Sequence, residues 1–407
     1  LALVRRVLAR IDLHLLAVAL IVVIATLPLL TRPGLPRHTD LELHVFRAAE
    51  FQAALADRPL DYPRWAADFY YGYGYPIFNY YAPLTYYAAS AIALVPGLGI
   101  VGAMKVVLVL TCALAALGAY YLARRHFGST AAVVASAAYV LSPYLLFIDP
   151  FMRGDAAEFL ALGMLPWVFL AFDRRLSSTR DVARAALALA ALVFSHNLMA
   201  LIGAALLAAW LVWRGLLVDG VGRWPPPPGN SLIPRDSRDG GWPPSPGNSL
   251  IPRDSRDGGW PRDLAAIALA AGLSAVFWLP FFAERGAVRL DVAGPGHFDF
   301  HNHFVEPGVL LQPSPALDLG ATTPHFVYNL GLAQWVLALP ALLMLRRLHR
   351  PESRVSAFYA LAALAMIFLV TPGSVGVWEA APPAALIQFP WRFLGPIALA
   401  LAMCAAG

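Results

Sequence analysis

Charged side chains are scarce in this 407-residue chain: Asp, Glu, Lys and Arg make up 14% of it, against 59% hydrophobic residues. A soluble globular chain is about 25% charged and about 45–50% apolar, so an ordinary solvated surface is excluded. The mean hydropathy of +0.61 agrees. Cysteine is nearly absent. Cys112 and Cys404 both lie in apolar stretches, which excludes a disulfide-stapled secreted fold. No small-x-small cleavage site follows the first apolar stretch, Leu13–Leu30, so it reads as a retained helix rather than a signal peptide. The net charge of +5 reflects basic cytoplasmic loops rather than nucleic-acid binding; the expected partner is a bilayer, with no nucleic acid. Residue 1 is Leu and the last residues are apolar, so the sequence is expected to be a piece of a longer chain.

What is abundant is apolar sequence in span-length runs. About 18–20 such residues cross a hydrocarbon core of about 30 Å. Candidates lie near 12–30, 82–97, 101–122, 129–147, 157–172, 182–196, 198–213, 264–282, 330–345, 356–371 and 393–407. The expected fold is therefore all-α, a polytopic transmembrane bundle of about 10–11 spans. Arg5, Arg6 and Arg10, then Arg174, Arg175, Arg180 and Arg184, then Arg346, Arg347, His349, Arg350 and Arg354 mark inner loops. Residues 31–81, 149–157, 283–329, 372–392 and the corner Ser195-His196-Asn197 then fall outside. One conflict stays open. Arg124, Arg125 and His126 read as internal, yet two full crossings between 82 and 122 would put them outside; either 82–97 turns back at Pro96-Gly97 or a span is split.

Three regions follow: 1–223, a membrane module with the first external loop 31–81; 224–263, a cytoplasmic loop; and 264–407, further membrane helices with the external loop 283–329. The middle region holds two tandem 18-residue units that differ only at Pro227 versus Ser245. Pro, Gly, Ser and Asp dominate them and leave no face to bury, so disorder is expected.

Polar residues collect on the outer side. After the first span, Thr39 and Glu42 fit a capping box that starts a helix, with Asp40 in its first turn, where a negative charge suits the dipole. Asp40, His44 and Arg47 share one face of it. An aromatic run follows, from Trp65 through Tyr70, Tyr71, Tyr73, Tyr75, Phe78, Tyr80 and Tyr81. Interfacial belts are rich in such residues, and their faces also pack against sugars and isoprenoid chains.

An acidic residue in the first external loop, then Tyr-Gly-Tyr-Pro-x-Phe-x-Tyr-Tyr-Ala-Pro-Leu leading into a span, resembles the GT-C superfamily of polytopic glycosyltransferases that use polyprenyl-phosphate-linked sugars. More narrowly, the chain resembles bacterial membrane proteins labelled "6-pyruvoyl-tetrahydropterin synthase-related", a label with no pterin chemistry behind it here. The likeness extends through Phe151-Met152-Arg153-Gly154-Asp155-Ala156-Ala157-Glu158-Phe159, Phe194-Ser195-His196-Asn197 and Gln388-Phe389-Pro390-Trp391-Arg392-Phe393. It implies a GT-C-like bundle with juxtamembrane helices in the first external loop. It also implies hexosyl or pentosyl transfer from a polyprenyl-phosphate donor to a glycan, lipid or protein acceptor, on the extracytoplasmic side of the inner or plasma membrane.

Such transfer needs a base for the acceptor hydroxyl and positive charge for the departing phosphate. Asp40 is the candidate base, with Glu42 beside it as either a second acid or only a cap. Arg153 and Arg392 are candidate phosphate clamps, because guanidinium grips phosphate in bidentate fashion. His44, Tyr73, Tyr75, Asp155, Glu158, His196, Asn197 and Trp391 form the expected substrate-contacting set. Asp155 and Glu158 also fit a helix cap, and His196 a buried hydrogen-bonded histidine. No metal ligands are assigned. His297, His301 and His303 match no strong zinc spacing, and a divalent ion, Mg or Mn, shared by Asp40 and a phosphate stays open. A transporter or flippase for lipid-linked saccharides is the competing expectation, although Lys105 is the one ionisable residue well inside a candidate span. A non-catalytic membrane scaffold is the third.

Overall fold

The computed structural model describes residues 12–36, 39–218, 260–287, 296–316, 318, 326–344, 351–381 and 386–407. Among these residues the structure is helical and has no strand; an isolated bridge joins Ala66 and Tyr75. The tandem units at 224–259 and the basic residues Arg5, Arg6, Arg10, Arg346, Arg347, His349 and Arg350 lie outside the described residues.

The long helices are α1 (Leu13–Thr31), α2 (Asp40–Asp57), α3 (Leu84–Ile92), α4 (Gly99–Phe127), α5 (Ser129–Val140), α6 (Ala156–Phe172), α7 (Thr179–Ser195), α8 (Asn197–Trp213), α9 (Trp260–Ala283), α10 (Leu332–Met344), α11 (Pro351–Val370) and α12 (Leu394–Ala406). Among the described residues, six helical stretches are long and apolar enough to cross a membrane, with α6 and α12 apolar but shorter. α1 shows why these helices belong in lipid. Leu16, Leu20, Ile24, Leu27 and Leu30 are exposed along it, and only Val18, Ala25, Thr26 and Leu29 are buried. A helix that is apolar all round and packs on one narrow stripe has no stable place in water.

Side-chain ties sort the helix ends into two rims. His14 at the start of α1 meets Thr130 at the start of α5, 3.5 Å apart. At the other end of α1, Lys105 near the start of α4 donates to the Arg32 carbonyl at 2.6 Å. Asp173, just past α6, accepts from His126 at 2.8 Å and Arg125 at 3.3 Å at the end of α4. Arg214 after α8 donates to the Arg174 carbonyl at 3.0 Å and pairs with Asp263 in the first turn of α9. Trp213 donates to the carbonyl of Arg354, near the start of α11, at 3.0 Å. These contacts gather an arginine-rich rim. The ends at Thr31, Arg153, Asp155, His196 and Arg392 form the opposite one.

This arrangement resolves the conflict at 82–126. Residues 84–92 form only a nine-residue helix, too short to cross, packed on α2 and α4. The chain turns back at Val95–Leu98 into the 29-residue α4, so Arg124, Arg125 and His126 arrive at the arginine-rich rim. The expected crossing at 82–97 is not made. Trp260–Asp263, expected to close the disordered loop, instead begin α9.

α4 packs closely on α5 and α6 because its buried stripe is small: Ala115, Ala116, Gly118, Ala119 and Ala123. At Gly118 a side-chain carbon would stand 2.7 Å from Pro166 and 2.8 Å from Trp167. Small residues at helix crossings are how membrane helices gain dispersion contact without a hydrophobic driving force. α12 is buried along nearly its whole length against α5, α10 and α11, which brings the segment before it, Pro390–Phe393, into the centre of the other rim. The flanks of 219–259 also meet: a side-chain carbon at Gly215 would lie 3.2 Å from the Trp260 ring.

Candidate active site at one rim of the bundle

After α5 the chain forms a π-helical segment, Tyr144–Arg153, with Pro150 inside it. Proline lacks the N–H that an α-helical ladder needs, and π segments recur at functional sites. The segment ends at Gly154, whose φ of +71° is left-handed. A Cβ there would stand 2.4 Å from Thr39 Oγ1 and 2.7 Å from the Leu41 nitrogen. Gly154 therefore lets the N-terminus of α2 sit directly on the Arg153–Asp155 turn.

Asp155 caps α6, its Oδ1 accepting from the Glu158 N–H at 3.0 Å. Arg153 lies among the carboxylates. It donates to Asp149 at 2.5 Å, to Asp155 at 3.3 Å, to Glu158 at 3.2 Å and to the Tyr144 hydroxyl at 2.9 Å. Tyr144 in turn donates to Glu158 at 2.5 Å. Arg392 approaches from the far end of the chain, its Nε 3.6 Å from Glu158. Trp391 covers the Arg153 guanidinium, 4.4 Å from the ring centre, and stacks on Tyr328 at 4.7 Å. Glu158 and Asp149 have no solvent exposure at all. Buried charges persist only when paired and hydrogen-bonded, and this mutual pairing is what makes the cluster tolerable.

Two imidazoles flank Asp155. His44 Nε2 on α2 lies 3.4 Å from Oδ1, within ion-pair distance but off hydrogen-bond alignment. Its Nδ1 meets the Tyr86 hydroxyl at 3.0 Å. His196 Nε2 lies 3.7 Å from Oδ2, and its Nδ1 accepts from the Met199 N–H at 3.2 Å, capping α8. The Tyr81 hydroxyl reaches Oδ1 at 3.5 Å. Burial raises the Asp155 carboxyl, but His44, His196 and Arg153 outweigh burial and hold it well below the usual carboxylate range. Burial pushes His196 down to about 4, against the opposing pull of Asp155 and Glu158. A neutral imidazole whose Nδ1 accepts from the backbone carries its proton on Nε2, facing Asp155.

Asp155, Glu158 and His196 offer ligand atoms all within 4.8 Å of one another, a set that distance alone would allow to hold a metal ion. The chemistry does not fit a resident ion. Both carboxylates already face guanidinium groups, and His196 Nε2 has no lone pair to give while Nδ1 caps α8. In the loop beyond α9, His301 lies between Asp299 at 2.6 Å and Glu379 at 3.3 Å, and His303 meets the His297 carbonyl at 2.5 Å. Those histidines do not share ligand positions.

Seven of the expected site residues thus converge: His44, Arg153, Asp155, Glu158, His196, Trp391 and Arg392. Asp40 opens α2 one turn before His44, on the same rim. It is exposed and makes no hydrogen bond or ion pair among the described residues. Thr39 caps that helix by accepting from the Leu41 N–H at 3.3 Å rather than from Glu42 as a capping box would; Glu42 is exposed. Asn197 stands beside the cluster, donating to the Tyr80 carbonyl at 2.8 Å. Tyr73 and Tyr75 lie apart from the carboxylates, 81% and 40% exposed, in the turn closed by the Ala66–Tyr75 bridge.

Sequence reasoning missed Asp149, Tyr144, Tyr86 and Tyr328, and had Tyr81 only as a member of the aromatic run. Asp149 carried a signal, a carboxylate at the end of an apolar run. The tyrosines carried none that separates them from an interfacial belt. Next to Arg392 an apolar groove of about 760 Å³ runs between α8 and α11, lined by Leu201, Leu206, Val212, Ala362, Leu369 and Phe393 among others. Its lining on the α8 side extends from Leu201 to Leu217, roughly 24 Å at a helical rise of 1.5 Å per residue.

Residues 78–218 match the family model described as "6-pyruvoyl-tetrahydropterin synthase related domain; membrane protein". No curated protein matches the chain in sequence. The crystal structure of ArnT from Cupriavidus metallidurans bound to undecaprenyl phosphate is similar over 97% of this chain and 59% of its own, at 14% identity and a TM-score of 0.51. The same protein in the apo state is similar over 96% and 58%, at 16% identity and a TM-score of 0.49. The chain thus spans less than two thirds of the length of ArnT. The chain is similar to ArnT in the arrangement of its helices, and its residues 78–218 match a membrane-protein domain model.

Proposed function

We propose that the protein is a membrane glycosyltransferase that moves a sugar from a polyprenyl-phosphate donor to an envelope acceptor (glycan, lipid or protein) on the extracytoplasmic face of the cytoplasmic membrane. The observation that supports this reading is the presence, on one rim of an apolar bundle, of a free carboxylate, a buried guanidinium with unmet N–H groups and an apolar groove wide enough for a hydrocarbon chain. Asp40 is the free carboxylate, since it makes no hydrogen bond or ion pair among the described residues, whereas Glu158, Asp149 and Asp155 already accept from Tyr144, Arg153 and the α6 N-terminus. Arg392 Nε and Nη1 are buried without a hydrogen-bond partner, and a buried cation in that state favours an anion. Phe393, the next residue, begins the groove, which takes the isoprenoid tail. The arginine-rich rim lies opposite, as the bias toward basic cytoplasmic loops requires.

In the reaction the acceptor hydroxyl attacks the anomeric carbon of the sugar. The bond from that carbon to the phosphate oxygen breaks, and the lipid phosphate leaves. Asp40 takes the hydroxyl proton, and Arg392 stabilises the charge that grows on the phosphate. Arg153 adds positive charge from behind while holding the carboxylates in place.

The test uses the purified full-length protein in liposomes containing polyprenyl-phosphate hexoses and pentoses. Asp40→Asn is expected to lower transfer by about 10²–10⁴-fold with expression and melting temperature kept. Transfer at the wild-type rate by Asp40→Asn refutes the assignment. Envelope glycans and polyprenyl-phosphate sugars compared by mass spectrometry with and without the gene identify the sugar.

A further inference from the structure

Arg47 lies two turns after Asp40 on α2, on the face that also carries His44, and it is half-buried. Its guanidinium sits over the Tyr81 ring, 4.3 Å from the centroid. Its side chain meets the Tyr86 hydroxyl and feels the Asp155 charge, but its Nε is buried with no hydrogen-bond partner, and no carboxylate among the described residues lies within ion-pair distance of it. The Tyr81 hydroxyl on the same ring points to Asp155, and the ring meets His196 edge-on at 6.4 Å. Arg392 reaches the same cluster from the other side, its Nε 3.6 Å from Glu158, from whose N–H the Asp155 carboxylate accepts. Its Nε and Nη1 are likewise without hydrogen-bond partners. Arg153 differs: its terminal nitrogens are spent on three carboxylates and a phenol.

We propose that Arg47 and Arg392 form the anion subsite that grips the phosphate of the lipid donor. The inference rests on the transferase reading above and names the residue that completes its phosphate contact. Buried cationic N–H groups left unpaired are costly, and a phosphate diester between two guanidinium groups satisfies them with charge-assisted bonds. The axial distance from Asp40 to Arg47 is roughly 10 Å at the helical rise. One helix therefore presents the base and one half of the clamp with space for a sugar between them. Tyr81, stacked under Arg47, fixes the guanidinium plane and limits the freedom lost on binding.

The experiment measures binding of undecaprenyl phosphate and of undecaprenol, the same chain without phosphate, to the purified full-length protein by native mass spectrometry. The wild type is expected to prefer the phosphate. Arg47→Met and Arg392→Met should each weaken the phosphate by tenfold or more while leaving undecaprenol binding unchanged, and Arg47→Lys should recover part of the loss. Should Arg47→Met also lose undecaprenol, Arg47→Lys carries the test through its selective loss of the phosphate. Undiminished phosphate binding by Arg47→Met, or by an Arg47→Lys that carries the test in its place, overturns the subsite. A wild type that does not distinguish the two lipids overturns the donor reading itself.

Discussion

Glu158→Gln is the sharpest probe of the rim cluster. The substitution keeps size and shape and removes one charge. Glu158 has no exposed surface, accepts from Tyr144 at 2.5 Å, meets Arg153 at 3.0 Å and stands 3.6 Å from Arg392. A glutamine can still accept from Tyr144, but its amide would turn two N–H groups toward guanidinium N–H groups. Arg153 retains Asp149 and Asp155, while Arg392 loses the carboxylate it faces. Breaking a buried pair from one side costs about 3–5 kcal/mol, because it leaves an uncompensated charge away from water. Arg153→Met should cost more, since Asp149, Asp155 and Glu158 then lose the cation they share. The assay is reversible unfolding in mixed micelles titrated with dodecyl sulfate, followed by near-ultraviolet circular dichroism, to which the Trp391–Tyr328–Phe389 stack contributes. A Glu158→Gln protein within about 1 kcal/mol of wild type, or an Arg153→Met protein less damaged than Glu158→Gln, refutes the claim that one shared guanidinium holds this rim together.

Two further outcomes follow from the same geometry. Gly154→Ala would force a side chain into a left-handed position and within 2.4 Å of Thr39 Oγ1; strain of this kind costs about 1–3 kcal/mol. Because it displaces the start of α2, transfer measured below the unfolding midpoint should fall more than stability does, and unchanged activity counts against the docking of α2 on this turn. The second outcome concerns acid. His196 titrates at about 4 when folded, against an ordinary value of 6.5, so between those values the unfolded chain takes up a proton that the folded chain refuses. Its contribution is complete above about pH 6.5 and is lost as pH falls toward 4, roughly 3 kcal/mol in all. His196→Asn, which keeps a capping side chain, should flatten that limb of the stability profile. An unchanged limb would assign the acid sensitivity to other groups.

The bundle was legible because a span needs a long uninterrupted apolar run, and few other structures leave that trace. Residues 82–97 misled for the same reason. They are apolar enough to cross, but Pro96-Gly97 and the nine-residue length of α3 turn them back. At the site, Arg153, Asp155, Glu158, His196 and Arg392 were readable because polar groups bracketed by apolar sequence must find one another. Tyr86 and Tyr144 were not, since a tyrosine in an apolar run looks the same whether its hydroxyl meets a histidine or a headgroup. Tyr73 and Tyr75 stood out by density, yet their place in an exposed turn depends on the Ala66–Tyr75 bridge, which no local pattern reveals. The exposure of Asp40 beside the buried His44 likewise depends on where the Arg153–Asp155 turn meets α2.

The contact between Gly215 and the Trp260 ring, with the Arg214–Asp263 pair next to it, closes a seam across which the chain departs and returns. The closure entropy of whatever runs between those points grows only with the logarithm of its length, about 0.6 kcal/mol per doubling. A protein lacking one 18-residue unit is therefore expected to keep the wild-type unfolding midpoint. The same seam is the natural port for grafting a reporter or an affinity handle onto this protein.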